Sequence, residues 1–172
     1  MMTLHQLYER AYSEGIEIDE WHMRGLRASA YPEGWIAIDP RKYRDKIEFK
    51  CDLAHEIGHC ETGAFYNIYS PYDLKSKCEY KANKRAVEIL MPFDEVVEAM
   101  HHGYKTAWAL AGLFEVTQEF AEMALKIYEG KLVENSEREQ IKALLAGFGL
   151  KEQKAGKGKL PPLVRARDLI GR

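Results

Sequence analysis

Three residues in the middle of the chain carry the types and spacing that chemistry needs. Leu53-Ala54-His55-Glu56-Ile57-Gly58-His59 reads as H-E-x-x-H within a helical stretch. Residues four apart share a helical face about one turn apart, so His55 and His59 can grip one zinc ion between them. Glu56 then stands beside the open position, placed to take a proton from an attacking water. The competing reading is two partly buried histidines on a helix that bind nothing. The elements around the motif decide between them.

Asp45-Lys46-Ile47-Glu48 has the form of a capping box, with Asp45 as N-cap, and predicts a helix from about 46 to 61. Its apolar residues fall on two sides: Ile47, Cys51, Ala54 and Gly58, then Phe49, Leu53, Ile57 and Cys60. A helix that is apolar around most of its circumference is buried, and buried histidines need partners. Residues 62–77, with Gly63, Ser70-Pro71 and three tyrosines, read as a loop bordering the cleft.

A second helix is expected from about 78 to 91, stopped by Pro92. Its two central glutamates face different ways. Glu88 shares a charged stripe with Lys81, Lys84 and Arg85, whereas Glu79 shares a face with Ala82, Asn83, Ala86 and Leu90. A carboxylate on an inward face requires a cation. Glu79 is therefore the expected third ligand, completing a His2Glu zinc site with one open position. Asn83, one turn on, is placed to accept a hydrogen bond from a ligand histidine and fix its tautomer.

The remaining elements frame this pair. Residues 2–13 predict a short amphipathic helix ended by Gly15, and Ile16-Glu17-Ile18 a brief strand. Runs at 26–31 and 35–39 around Pro32-Glu33-Gly34 predict a hairpin, whose edge could hold an extended peptide. Asp94 is the expected cap of a short helix through Met100, and His101-His102-Gly103 ends it, outside the zinc site. Two helices meeting at Val116-Thr117 echo a helix-turn-helix. Residues 106–130 carry Glu115, Glu119, Glu122 and Glu129 against Lys126 alone, which argues against DNA and for a structural or partner-docking pair. Ser136-Glu137-Arg138-Glu139 is a further capping box, opening a helix to about Ala146.

Composition narrows the class. The chain has 172 residues, 46% apolar and 30% charged, enough for one domain with a core or one domain plus a tail. Its net charge is −2, with +5 on residues 151–172 and −7 on the rest, so bulk charge points to neither nucleic acid nor membrane. Three cysteines without framework spacing argue for a reducing compartment. No signal pattern and no membrane-length apolar run are present, so a cytoplasmic protein is expected.

Taken together and in order, the segment 53–59, then Glu79-Tyr80-Lys81-Ala82-Asn83, then Ile89-Leu90-Met91-Pro92, resembles the ImmA/IrrE family of zinc metallopeptidases over roughly residues 1–130. The look is closest to short phage and mobile-element members. The resemblance implies zinc held by His55, His59 and Glu79, with Glu56 as catalytic base. It implies a zinc-dependent endopeptidase that relieves repression by cutting a helix-turn-helix transcriptional repressor. The expected architecture is α+β and mainly helical. A zincin-like core with a small antiparallel β-hairpin or sheet beside the motif helix spans 1–103, a helical part packed on it spans 104–150, and a basic flexible tail spans 151–172. Two other readings stand beside this one: a non-catalytic zinc-containing module that inactivates or delivers a regulator without cutting it, and a DNA-binding regulator with structural zinc. Peptide hydrolysis also requires a donor to the developing oxyanion, for which Tyr66, Tyr69 and Tyr80 are the candidates.

Overall fold

The structure is a computed structural model and describes residues 1–129. These fall into two compact units that divide between Leu90 and Met91. The expected helix at 136–146 and the basic tail at 151–172 lie outside the described residues.

The first unit opens with helix α1, Leu4–Ser13. Thr3 and Gln6 close a reciprocal capping box, each side chain accepting the other's backbone N–H. Gly15, at φ +74°, reverses the chain into strand β1, Glu17–Glu20. Strands β2, Ala28–Tyr31, and β3, Trp35–Ile38, form the predicted antiparallel hairpin, with Ala30 opposite Ile36. The ladder continues beyond the strands, because the Asp39 N–H donates to the Arg27 carbonyl at 2.8 Å.

The sheet is larger than the hairpin. β1 pairs in parallel with the free side of β3, Ile18 opposite Ile36, giving the order β1-β3-β2. The parallel partner is a tertiary choice with no local signature, and it makes β3 the central strand, with Ile36 and Ile38 wholly buried. β2 remains an edge.

After a single 3-10 turn at Pro40–Lys42, helix α2 runs Lys46–Thr62. Asp45 caps it, its side chain accepting from the N–H groups of Ile47 and Glu48. The second half of the expected box is displaced by one residue: Glu48 accepts from the N–H of Arg44 rather than of Asp45. Every residue from Phe49 to His59 is buried, as the two-sided apolar pattern requires. Gly63 ends the helix in the left-handed region, at φ +61°.

Helix α3, Tyr72–Leu90, begins six residues earlier than expected. The run from Tyr72, directly after Ser70-Pro71, is already helical, with the Pro71 carbonyl accepting from Leu74 and Lys75. α2 and α3 cross so closely that a Cβ at Gly58 would lie 2.4 Å from the Ala82 carbonyl oxygen. At the far end of α2, Glu61 receives Arg10 from α1 and Arg85 from α3. Arg85 also reaches Glu88 at 3.4 Å, so the outer charged stripe of α3 is partly drawn into this staple.

The second unit comprises α4, Phe93–His101; α5, Ala107–Phe114; and α6, Gln118–Glu129. Asp94 is not the cap expected of it. The cap residue is Pro92, which makes no side-chain cap bond, and Asp94 lies within the first turn. Pro92 has no N–H to continue α3, so the next helix starts directly after it. Thr106 caps α5 and Thr117 caps α6 through their hydroxyls. Tyr128 is fully buried and donates to the Met91 carbonyl at 2.6 Å. No described helix is long and apolar enough to cross a membrane.

Gly58 and Gly112 are opposite cases on helices. Gly58→Ala meets a backbone carbonyl that cannot rotate away and should lose roughly 1–3 kcal/mol in urea unfolding. Gly112→Ala meets nothing within 4 Å and should gain about 0.5–1 kcal/mol from helix propensity. A Gly58→Ala variant as stable as the parent would contradict the close crossing.

Candidate metal centre

The tight α2–α3 crossing brings His55, His59 and Glu79 together. One ligand atom from each can be chosen so that all lie within 4.8 Å of one another. The Glu79 carboxylate spans the two rings, Oε2 at 3.3 Å from His55 Nε2 and Oε1 at 3.5 Å from His59 Nε2. The two Nε2 atoms face each other at 3.1 Å.

The outer nitrogens fix the state of both rings. His55 Nδ1 lies 2.8 Å from Asn83 Oδ1, the contact expected of Asn83, and His59 Nδ1 lies 2.7 Å from the Ala64 carbonyl. Both partners are acceptors, so each Nδ1 carries the proton and each Nε2 of a neutral ring is left with a lone pair. Two lone pairs and a carboxylate converging in a buried space fit a divalent cation, and the N,N,O set suits zinc.

Without a metal, protons must serve instead. Burial alone would lower the proton affinity of His55, but the Glu79 hydrogen bond and the charges of Glu56 and Glu79 reverse this and raise its pKa. Burial would raise Glu79 in turn, and the two histidines outweigh it and hold the carboxyl well below its usual range. Tyr66 also donates its hydroxyl to Glu79 Oε1.

Glu56 is 3% exposed, and its Oε2 is buried without a hydrogen-bond partner. A buried carboxylate oxygen without a protein partner, next in sequence to His55, is able to accept a proton. Of the tyrosines named from sequence, Tyr66 is at the centre, whereas Tyr69 is 87% and Tyr80 43% exposed. Glu88 pairs with Arg85. His102 is exposed and its nearest acid is Glu98; His101 is exposed too.

Sequence reasoning missed the charges behind the motif. Glu48, Asp52 and Glu56 stand at intervals of four along α2. Arg27, at the start of the hairpin, reaches Glu48 at 2.8 Å and Asp52 at 3.5 Å, with its guanidinium 4.3 Å above the Tyr43 ring. The signal was present in the acidic periodicity, but Arg27 is distant in sequence. Burial pushes the Asp52 carboxyl up to about 6, against the opposing pull of Arg27. The Ala64 carbonyl was also missed, since a backbone acceptor has no residue signature.

The family described as Peptidase_M78, IrrE N-terminal-like domain, matches residues 16–126. No curated protein matches the chain.

Two measurements check this geometry. In chelator competition the protein should bind a single zinc ion, His59→Ala and Glu79→Ala should abolish tight binding, and Asn83→Ala should weaken it by about ten- to a hundredfold. Unchanged affinity in Glu79→Ala would exclude the three-ligand site. For Asp52, the raised folded pKa means that the folded state holds the proton more tightly than the unfolded chain. Its contribution to stability therefore falls as pH rises from the ordinary carboxylate value through about 6. In the metal-free protein Asp52→Asn should raise the urea midpoint at about pH 8 and not at about pH 4; an equal gain at both would refute the burial argument.

Proposed function

The chain belongs to the IrrE N-terminal-like peptidase family, and from that premise we propose that it is a zinc-dependent endopeptidase that cleaves a helix-turn-helix transcriptional repressor of a phage or mobile element and so relieves repression. His55, His59 and Glu79 would hold the zinc. When bound there, zinc supplies a Lewis acid that polarises the scissile carbonyl and lowers the pKa of a coordinated water toward about 7.

The chain's own residues do the rest. Glu56 takes the proton of the attacking water and delivers it to the leaving amine, the two transfers that peptide hydrolysis requires. Asn83 and the Ala64 carbonyl keep both imidazoles in the tautomer that directs Nε2 inward. β2, one of the two edge strands of the sheet and the strand against which α2 packs, offers backbone groups to an extended substrate segment. A peptide held there would be read by its backbone, so a flexible stretch of the repressor is a better target than its folded helices.

The observation that carries this reading is the unpartnered, buried Oε2 of Glu56 adjacent in sequence to a ligand histidine. A carboxylate oxygen that no protein group occupies is open to accept a proton from a water held at the centre. Three cysteines that form no disulfide, Cys51, Cys60 and Cys78, suit the reducing cytoplasm in which a repressor would be met. The repressor as substrate is supported by the resemblance of the motif set and not by any contact in the structure.

The test is co-expression with a candidate helix-turn-helix repressor. Glu56→Gln should retain zinc and slow repressor loss by about a hundred- to ten-thousandfold. Undiminished cleavage by the zinc-loaded Glu56→Gln protein would rule out this mechanism, and undiminished relief of repression without cleavage would favour a binding role.

A further inference from the structure

Attack on a peptide carbonyl places negative charge on its oxygen, and a positioned donor there is among the largest contributions to catalysis. Glu56, acting as a base, is an acceptor and cannot provide it. Among the described residues, the protein groups hydrogen-bonded to the three ligand side chains, apart from one another, are Asn83, the Ala64 carbonyl and Tyr66. The first two are turned outward, as acceptors for the Nδ1 protons. Tyr66 alone brings an O–H donor, and it brings it to the inner, ligand side, onto Glu79 Oε1.

The segment that carries Tyr66 is tied to the centre at three successive residues. Ala64 accepts from His59 Nδ1, Phe65 accepts from the Cys78 thiol at 3.5 Å, and Tyr66 donates to Glu79. The Tyr66 ring stands edge-on to the His59 ring, centroids 6.3 Å apart. The hydroxyl is therefore held among the ligands by a fixed backbone, while Tyr69 and Tyr80 point to solvent.

We propose that Tyr66 is a catalytic residue: when a peptide enters, its hydroxyl leaves Glu79 and donates to the oxygen of the attacked carbonyl. The step exchanges one hydrogen bond for another, and no covalent bond or proton changes owner. A carboxylate engaged with a cation is a weaker acceptor, so the Glu79 contact is the one most readily given up. The assignment rests on the endopeptidase reading above.

The experiment compares zinc-loaded parent, Tyr66→Phe and, as control, Tyr69→Phe. Each is assayed for zinc affinity by chelator competition and for binding of a phosphinic Phe–Gly pseudo-dipeptide, whose tetrahedral anion mimics the oxyanion. Tyr66→Phe should keep its zinc affinity within about threefold and lose about ten- to a hundredfold in phosphinate binding, the range for a hydrogen bond to a charged group. Tyr69→Phe should match the parent. Unchanged phosphinate binding in Tyr66→Phe would overturn the assignment, as would a loss wholly explained by lost zinc, or a parent that does not bind the phosphinate. A parent that binds it through Tyr66 yet hydrolyses no peptide would instead sink the endopeptidase reading and leave Tyr66 as the anion donor.

Discussion

Two imidazole lone pairs pointed at each other across 3.1 Å inside a protein repel, and a carboxylate added to them does not relieve the conflict. Only a proton or a metal cation between them does. The rest of the first unit holds this otherwise unfavourable convergence in place. Asn83 and the Ala64 carbonyl occupy the outer nitrogens and prevent either ring from turning its proton inward. Gly58 lets α3 approach until Glu79 reaches both rings. Arg10, Glu61 and Arg85 tie three helices together two residues beyond His59. A side chain at position 58 or a loosened staple would shift α3 and Glu79 with it, and ligand geometry tolerates only a fraction of an ångström.

The same helix carries a second electrostatic burden. Glu48, Asp52 and Glu56 follow one another along α2, and a row of carboxylates entering a buried face is costly unless countered. Arg27 meets the first two from the hairpin, stacked on Tyr43. Glu56 is left without a protein partner on its outer oxygen. Glu48 and Asp52 thus have a cation close by, whereas no protein group hydrogen-bonds Glu56 Oε2.

What could be read from the sequence follows from distance along the chain. The motif, its buried helix, the Asp45 cap and the hairpin are local, and spacing alone exposes them. Glu79 was separable from Glu88 because helical facing is also local: one shares its side with Ala82, Asn83 and Ala86, the other with lysines. The parallel pairing of β1, the reach of Arg27 to Asp52, and the Ala64 carbonyl on His59 join segments with no common pattern, so they could be found only once the chain had folded. The start of α3 was misread for another reason. Tyrosine, serine and proline around 69–72 look like a loop, although proline is at home just ahead of a helix. Asp94 failed as a cap because Pro92 had already set the boundary.

The central claim is that a zinc ion resides between these three side chains. Diffraction from crystals of the zinc-loaded protein at the zinc absorption edge tests it most directly. The account predicts a single strong anomalous peak about 2.0–2.2 Å from the Nε2 atoms of His55 and His59 and from a carboxylate oxygen of Glu79. A peak elsewhere, or none at the centre with the imidazoles still facing each other, would contradict it.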